Sequence, residues 1–407
     1  MSAFRKLLFF SLFLTFDLIM FGAFVRVTDA GLGCPDWPGC YGKATPLGAL
    51  ETIRAEAAER PHGPVTEFKA WVEMLHRYIA AGLGLMVIAL AVMATRLARR
   101  AREEARTEAS HGRAARGRAP PFAGARIVGD GEDGPAGVPH GPAGAGALAF
   151  ARPGAAPHVA LAWFTLFWII LQGIFGAWTV TLKLKPLVVT AHLLGGMILF
   201  GLLLAQATRV AGHPPVAREA GRYVGWAALA LAMLFVQIAL GGWVSTNYAT
   251  LACRDFPTCQ GAWWPQMDFG AGFELWRRLG VTGDGEALPF PALTAIHYTH
   301  RLFAYAVFAV VGAVAWRIRR VGGLERVGTG LLVVLALQGA TGLTNIFLDW
   351  PLAAAVLHTG GAAALMGLLL VLNFRARAAV RPPLAAVASR IAARREPPAG
   401  PPARARA

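Results

Sequence analysis

The chain has 407 residues, of which 56% are hydrophobic and only 15% are charged. Together with a mean hydropathy of +0.49, this composition excludes an ordinary soluble domain and indicates a membrane protein. The formal net charge of +16 does not indicate nucleic-acid binding, because the basic residues flank apolar runs instead of forming a folded basic face.

Eight apolar runs are each long enough to cross about 30 Å of hydrocarbon as a helix. They lie at residues 7–26, 71–96, 159–181, 187–208, 223–244, 292–316, 327–348 and 352–374. Helices are expected because the alternation typical of a barrel is absent and each span must satisfy its own backbone. The first run is too long for a cleaved secretion signal. The sequence therefore predicts an all-α integral membrane protein embedded in the lipid bilayer.

Charge is distributed unevenly among the links between these runs. The segment from Arg96 to Arg126 carries nine arginines against three glutamates, whereas the loops at 27–70 and 245–291 contain more acidic than basic residues. By the positive-inside tendency, both termini are cytoplasmic and the two acidic loops face outward. Residues 97–157 and 376–407 are rich in Ala, Pro and Arg, bury too little apolar surface to fold, and are expected to be mobile cytoplasmic segments.

The sequence contains an internal repeat. FGAFVRVTDAGLGCPDWPGCYG (21–42) is similar to LGGWVSTNYATLACRDFPTCQG (240–261), without a gap in the alignment. Three shorter matches follow: MLHRYIAAG with YTHRLFAYA, LQGIFGA with LQGATGL, and AHLLGGMILFGLLLA with LHTGGAAALMGLLLV. Internal similarity of this kind indicates a duplicated structural unit.

Each half holds four spans, an even number, so both halves enter the bilayer in the same direction. This predicts two tandem four-helix bundles related by a parallel pseudo-twofold axis along the membrane normal. The first bundle is expected in residues 1–209, including the link 97–157, and the second in 210–375. Residues 376–407 are expected to form a disordered basic tail.

Four histidines occupy equivalent positions in the repeat. His76 in MLHRYIAAG pairs with His300 in YTHRLFAYA, and His192 in AHLLGG pairs with His358 in LHTGGA. All four fall within the first two turns of a span that runs inward, roughly 7–12 Å below the outer boundary. Two imidazoles facing each other across a bundle are the axial ligands of a low-spin haem iron. Interhelical hydrogen bonding is the alternative, and zinc is less attractive because no Cys or carboxylate completes a tetrahedral shell.

Residues next to the histidines refine this hypothesis. The glycine pairs 195–196 and 360–361 leave room for a flat macrocycle. Arg77 and Arg301 follow their histidines and can pair with a haem propionate, or can instead extend to the interface.

A carboxylate accompanies only one of the two histidine pairs. Glu73 lies on the same helical face as His76 and is a candidate acid or base, although a structural ion pair is the alternative. Its repeat partner is His297, so the two halves are not chemically equivalent.

All four cysteines lie in the outward loops as two C-x5-C pairs, Cys34 with Cys40 and Cys253 with Cys259. An oxidising compartment permits one disulfide within each loop. The bridges are either structural staples or a redox-active relay, and the sequence leaves both open.

Other polar residues within the spans are also informative. Asp17, Gln172, Gln237 and Gln338 are costly in lipid and are therefore expected to face the protein interior.

The chain resembles the haem A synthases of bacterial and mitochondrial inner membranes. The resemblance is carried, in order, by VRVTDAGLGCPDWPGC, EMLHR, AHLLGG, HYTHR and LHTGG, and it extends over the whole eight-span core. It implies a haem-dependent oxidoreductase of the bacterial cytoplasmic membrane that converts the ring D methyl group of haem O to a formyl group, giving haem A for cytochrome oxidase assembly.

The resemblance also implies roles for individual residues. His300 and His358 would bind the iron of a resident haem b, and His76 and His192 would hold the substrate haem O. Glu73 would be the catalytic carboxylate. The cysteine pairs are similar to those of family members with disulfides in both outward loops.

Two other functions stay open at this point: a non-catalytic dihaem b electron carrier and a haem transporter or chaperone. The sequence does not identify the electron donor, the oxygen source or the homo-oligomeric state. It also leaves open whether a haem O synthase is recruited.

Overall fold

The computed structural model describes residues 2–61, 63–116 and 157–380. Eight helices in these ranges are long and apolar enough to cross a membrane, which confirms the predicted all-helical membrane architecture. In chain order the helices are α1 Ser2–Val27, α2 Leu50–Glu59, α3 Glu67–Arg116, α4 Val159–Thr181, α5 Pro186–Val210, α6 Val224–Thr246, α7 Phe269–Gly272, α8 Phe290–Ile318, α9 Glu325–Phe347 and α10 Leu352–Val380. The short helices α2 and α7 lie in the two acidic loops.

One element is longer than the sequence predicts. Helix α3 continues past the apolar run to Arg116, so residues 97–116, expected to be mobile, are helical. Alanine, arginine and glutamate dominate this extension and are strong helix formers even without a core to pack against. Helix α10 likewise extends through Val380. The remainder of the predicted mobile segments lies almost entirely outside the described residues.

The helices pack in two rings. Helices α1, α3, α4 and α5 contact one another in turn, and so do α6, α8, α9 and α10. Helices α1 and α5 of the first ring pack against α6 and α10 of the second ring. Buried residues such as Leu83 and Leu203 fill the first ring, whereas Leu331 and Leu369 belong to a larger core that includes the contact between rings. The pseudo-twofold relation between the rings stays a prediction.

The two cysteine-containing loops have the same local structure at equivalent positions of the repeat. In the first loop, the Asp36 carboxylate accepts hydrogen bonds from the backbone N–H groups of Tyr41 (2.6 Å) and Gly42 (2.7 Å). In the second loop, Asp255 accepts from Gln260 (2.7 Å) and Gly261 (2.9 Å). Tyr41 and Gln260 both have positive φ angles, 50° and 57°, a conformation that the adjacent carboxylate stabilises by capping the turn.

The two rings also meet near the cysteine-containing loops. There, residues of the first half contact the residues that match them in the second half of the internal repeat. Arg26 donates to the Ser245 carbonyl (2.6 Å), and Tyr248 donates to the Asp29 carboxylate (2.6 Å). The Arg26 guanidinium also lies 4.0 Å from the centre of the Tyr248 ring, a cation–π distance. These contacts join the two halves directly.

Candidate functional site

The four predicted histidines lie on four different helices, two in each ring. His76 is on α3 and His192 on α5, while His300 is on α8 and His358 on α10. All four are partly buried. Helices α3 and α5 both contact α1 and α4, and helices α8 and α10 both contact α6 and α9. Each ring therefore carries one histidine on each of two helices that lie opposite each other.

Each histidine packs against a glycine on a neighbouring helix. A Cβ atom added to Gly22 would lie 3.3 Å from His76, and one added to Gly176 would lie 3.4 Å from His192. In the second half, Gly241 faces His300 (3.0 Å) and Gly342 faces His358 (3.4 Å). Such distances are close to or below van der Waals contact, so a larger side chain at any of these four positions would displace the imidazole.

These four glycines are not the ones that the sequence singles out. The space above Gly195 is occupied by the Gln172 side chain, and that above Gly361 by the Gln338 side chain, whose Nε2 would be 2.5 Å from an added Cβ. Gly195 and Gly361 therefore accommodate an interhelical glutamine, and room for a macrocycle beside the two glycine pairs stays a prediction. Gln338 donates to the carbonyl of His358 (2.7 Å), which confirms that this glutamine faces the interior.

The imidazoles differ in their hydrogen-bond partners. Nδ1 of His358 lies 2.9 Å from Oγ1 of Thr341, and Nδ1 of His300 lies 3.0 Å from the amide nitrogen of Gln237. Within the described residues, Nδ1 of His192 is buried and has no partner. Among the four histidines, this is the one buried ring nitrogen without a partner in the described part of the chain.

Glu73 is buried, with 4% of its surface exposed, and both carboxylate oxygens have partners. Oε1 pairs with the Arg77 guanidinium at 2.5 Å, and Oε2 accepts the backbone N–H of Cys34 at 2.8 Å. Arg77 Nη1 also donates to the carbonyls of Asp36 (2.9 Å) and Gly39 (2.7 Å). Glu73 and Arg77 together attach the first cysteine loop to the helix that carries His76.

The second half repeats this attachment without the carboxylate. Arg301 donates to the carbonyls of Asp255 (2.7 Å), Thr258 (2.7 Å) and Cys253 (3.1 Å). His297 takes the position of Glu73, and its Nδ1 lies 2.9 Å from the Ala249 carbonyl. Both arginines therefore anchor a loop, a role that the sequence does not reveal because their partners are distant along the chain.

Both predicted disulfides are present. Cys34 is bonded to Cys40, and Cys253 to Cys259. All four cysteines are buried against their loops. The first bridge is directly connected to Glu73, because Cys34 itself supplies the N–H that the carboxylate accepts.

The donor set fits a haem iron better than a bare metal ion. Among the described residues, no group of three or more His, Cys, Asp or Glu side chains could hold a metal ion. Two imidazoles are sufficient for haem, since the macrocycle supplies the other four nitrogen ligands. The partnerless Nδ1 of His192 fits the same interpretation, because it is a buried ring nitrogen in the first bundle that no described protein group occupies.

Comparison with known sequences identifies the family. A model of the COX15-CtaA family, described as cytochrome oxidase assembly protein, matches residues 5–115 and 144–370. The chain belongs to the COX15-CtaA family. The match extends over all eight membrane helices and includes every candidate site residue, and its one gap falls within the long link between α3 and α4.

Individual relatives of the COX15-CtaA chain carry a common name. A protein of Shewanella oneidensis named Heme A synthase is 33% identical over 368 residues, which cover 89% of this chain and 94% of the relative. Proteins with the same name from Caulobacter vibrioides (33% identical, 51% of this chain and 60% of the relative) and Halalkalibacterium halodurans (23% identical, 84% and 86%) are also similar. The similarity to the Shewanella protein is therefore nearly full-length.

Proposed function

We propose that this chain is a haem A synthase, an oxidoreductase that converts the ring D methyl group of haem O to a formyl group. The family membership and the relatives named Heme A synthase support this function. The observation that carries the proposal is the chemical difference between the two histidine sites. A buried carboxylate accompanies the first pair, and an imidazole replaces it beside the second.

In this proposal the two sites take different haems. His300 and His358 would ligate a resident haem b, which supplies one-electron redox chemistry when bound. His76 and His192 would hold haem O, whose long apolar tail partitions into lipid. The two rings pack directly on each other through α5 and α6, so both sites would lie within one membrane-embedded unit.

Glu73 is the residue we assign to catalysis. Oxidation of a methyl group releases protons, and a carboxylate within the protein can accept them at one of its oxygens. Arg77 and the Cys34 N–H hold those oxygens in a fixed position on the helical face that carries His76. Arg77 is a positioning residue in this scheme, and its contact with a haem propionate stays a prediction.

The proposed membrane topology follows the charge pattern. The arginine-rich links would face the cytoplasm and the disulfide-bonded loops the oxidising side of the bacterial cytoplasmic membrane. In this orientation the loops cover the outer ends of both histidine sites.

Replacing Glu73 by Gln tests the proposal. We expect Glu73→Gln to lower haem A formation by at least about 100-fold, which is typical for removal of a general acid or base, while both haems stay bound. Glu67→Gln is the matched control, because Glu67 lies on the same helix but has a side chain that is 43% exposed and pairs with Arg54.

Wild-type levels of haem A from the Glu73 variant would overturn the assignment. Extraction of protohaem alone from the wild type would favour the dihaem carrier.

A further inference from the structure

The two halves differ at a position directly beside their second histidine. In the aligned segments LQGIFGA and LQGATGL, Thr341 on α9 is matched by Phe175 on α4. The next residue of each segment is the glycine that packs against the histidine, Gly342 or Gly176. Glycine and histidine are thus shared by both halves, whereas the hydroxyl is present only in the second.

The Thr341 hydroxyl is arranged to accept a hydrogen bond from His358. Its own proton is directed to the carbonyls of Leu337 (3.0 Å) and Gln338 (3.2 Å). The oxygen is therefore left to accept from Nδ1–H of His358, 2.9 Å away. This bond fixes the tautomer in which Nε2 is free to bind a metal, and it makes that nitrogen more basic.

Phenylalanine cannot provide this bond. With Phe175 in the equivalent place, Nδ1 of His192 is buried and has no hydrogen-bond partner within the described residues. A histidine without such a partner is free to exchange tautomers and to rotate, and it is a weaker axial ligand.

We propose that Thr341 and Phe175 decide which haem stays bound and which can leave. Thr341 is a positioning residue that strengthens the His358 bond to a resident haem, and Phe175 leaves the His192 bond weak enough for substrate to enter and product to depart. This inference rests on the proposed function, because only an enzyme that modifies haem needs one exchangeable site and one permanent site. A chain with two permanent haems would have no use for the difference.

The test measures haem release from the purified full-length chain in detergent to excess apomyoglobin, with the haems identified by extraction and chromatography. Thr341→Val, which keeps the shape but removes the hydroxyl, is expected to speed release of haem b by about 10–100-fold. Thr341→Ser is expected to release it near the wild-type rate. In the first half, Phe175→Thr is expected to release haem O about 10-fold more slowly than the hydroxyl-free control Phe175→Val.

Two results would overturn the inference. One is equal release from Thr341→Val and wild type, and the other is equal release from Phe175→Thr and Phe175→Val. The comparison of Phe175→Thr with Phe175→Val keeps the test decisive if a Thr341 variant fails to fold. Repeating the measurement with both halves loaded with protohaem separates this inference from the proposed function, because the effect of the hydroxyl on release does not require haem A to be made.

Discussion

The two histidine sites are built on the same plan and differ in chemistry. Each has two imidazoles, a glycine behind each ring, and an arginine that anchors a disulfide-bonded loop. The first site adds the buried Glu73, and Nδ1 of His192 has no hydrogen-bond partner among the described residues. The second replaces the carboxylate by His297 and gives His358 the Thr341 hydroxyl.

Under the proposed function, this difference gives the two halves different roles. The shared features are then those that any pair of haem ligands needs, namely ring nitrogens and a covered outer end. The features that differ would act on the bound group, by accepting a proton or by tightening an axial ligand. Substitutions at shared positions should therefore disable either half alike, and substitutions at differing positions should affect the halves unequally.

The glycines behind the rings should give the largest effect. Gly241→Leu places a branched side chain where even a Cβ would lie 3.0 Å from His300, so we expect complete loss of haem b. Gly22→Leu should remove the haem held by His76 and leave haem b in place. Gly82→Leu is the control, because nothing in the described structure lies within 4 Å of an added Cβ there. Absorbance and haem extraction measure the outcome, and unchanged haem content in both variants would contradict it.

The loop-anchoring arginines should give the next largest effect. Arg77→Met leaves the Glu73 carboxylate buried without its counter-charge, which costs about 3–5 kcal/mol of unfolding free energy. Arg301→Met should cost less, since its loop partners are carbonyls. Thermal unfolding in detergent compares the two variants, and adding Glu73→Gln to Arg77→Met should restore part of the loss. Equal destabilisation by the two arginine variants would show that the ion pair contributes nothing.

Removal of a disulfide should have a smaller effect that separates a staple from a redox relay. Replacing Cys34 and Cys40 by alanine is expected to cost about 2 kcal/mol, the value for a bridge that closes so short a loop. Because the N–H of Cys34 binds the Glu73 carboxylate, the Cys34 and Cys40 double variant should also reduce haem A formation. The Cys253 and Cys259 double variant should lower stability more than it lowers turnover. A relay would instead abolish turnover with stability unchanged.

The smallest expected effect concerns the turn in the second loop. Burial raises the pKa of Asp255, but hydrogen bonds from the Thr258 hydroxyl and from the N–H groups of Gly261 and Gln260 outweigh it and lower the pKa from 3.8 to about 2. Because the pKa of Asp255 is lower in the folded chain, its ionised carboxylate stabilises the fold above pH 3.8. This stabilisation is lost as the pH falls towards 2. Thermal unfolding from mildly acidic pH down to the folded-state pKa should show this loss, and Asp255→Asn should lack it.

The sequence predicts the parts of this molecule that depend on composition and repetition. The apolar runs form helices and the cysteine pairs form disulfides as expected, because span length and repeat spacing determine them. Gly22, Gly176, Gly241 and Gly342 are not predicted, although each is matched by a glycine in the other half of the repeat. Their role depends on which helix lies opposite each histidine, and the repeat alone does not specify that packing.

Other features could not be predicted from the sequence. The bond between Glu73 and Cys34 joins a span to a loop, and no periodicity encodes it. Arg77 is next to a histidine in sequence, yet its contacts are with loop carbonyls whose positions depend on how the turn folds. The helical extension to Arg116 reflects local propensity overriding a composition that suggests mobility.

Haem extraction from wild type, His76→Ala and His300→Ala tests most directly whether each half holds its own haem. With His213→Ala, in the link between α5 and α6, as a control, we expect His76→Ala to lose haem O and haem A while keeping protohaem. We expect His300→Ala to lose protohaem. Identical pigment from all four proteins, or the absence of a Soret band from the wild type, would contradict the account.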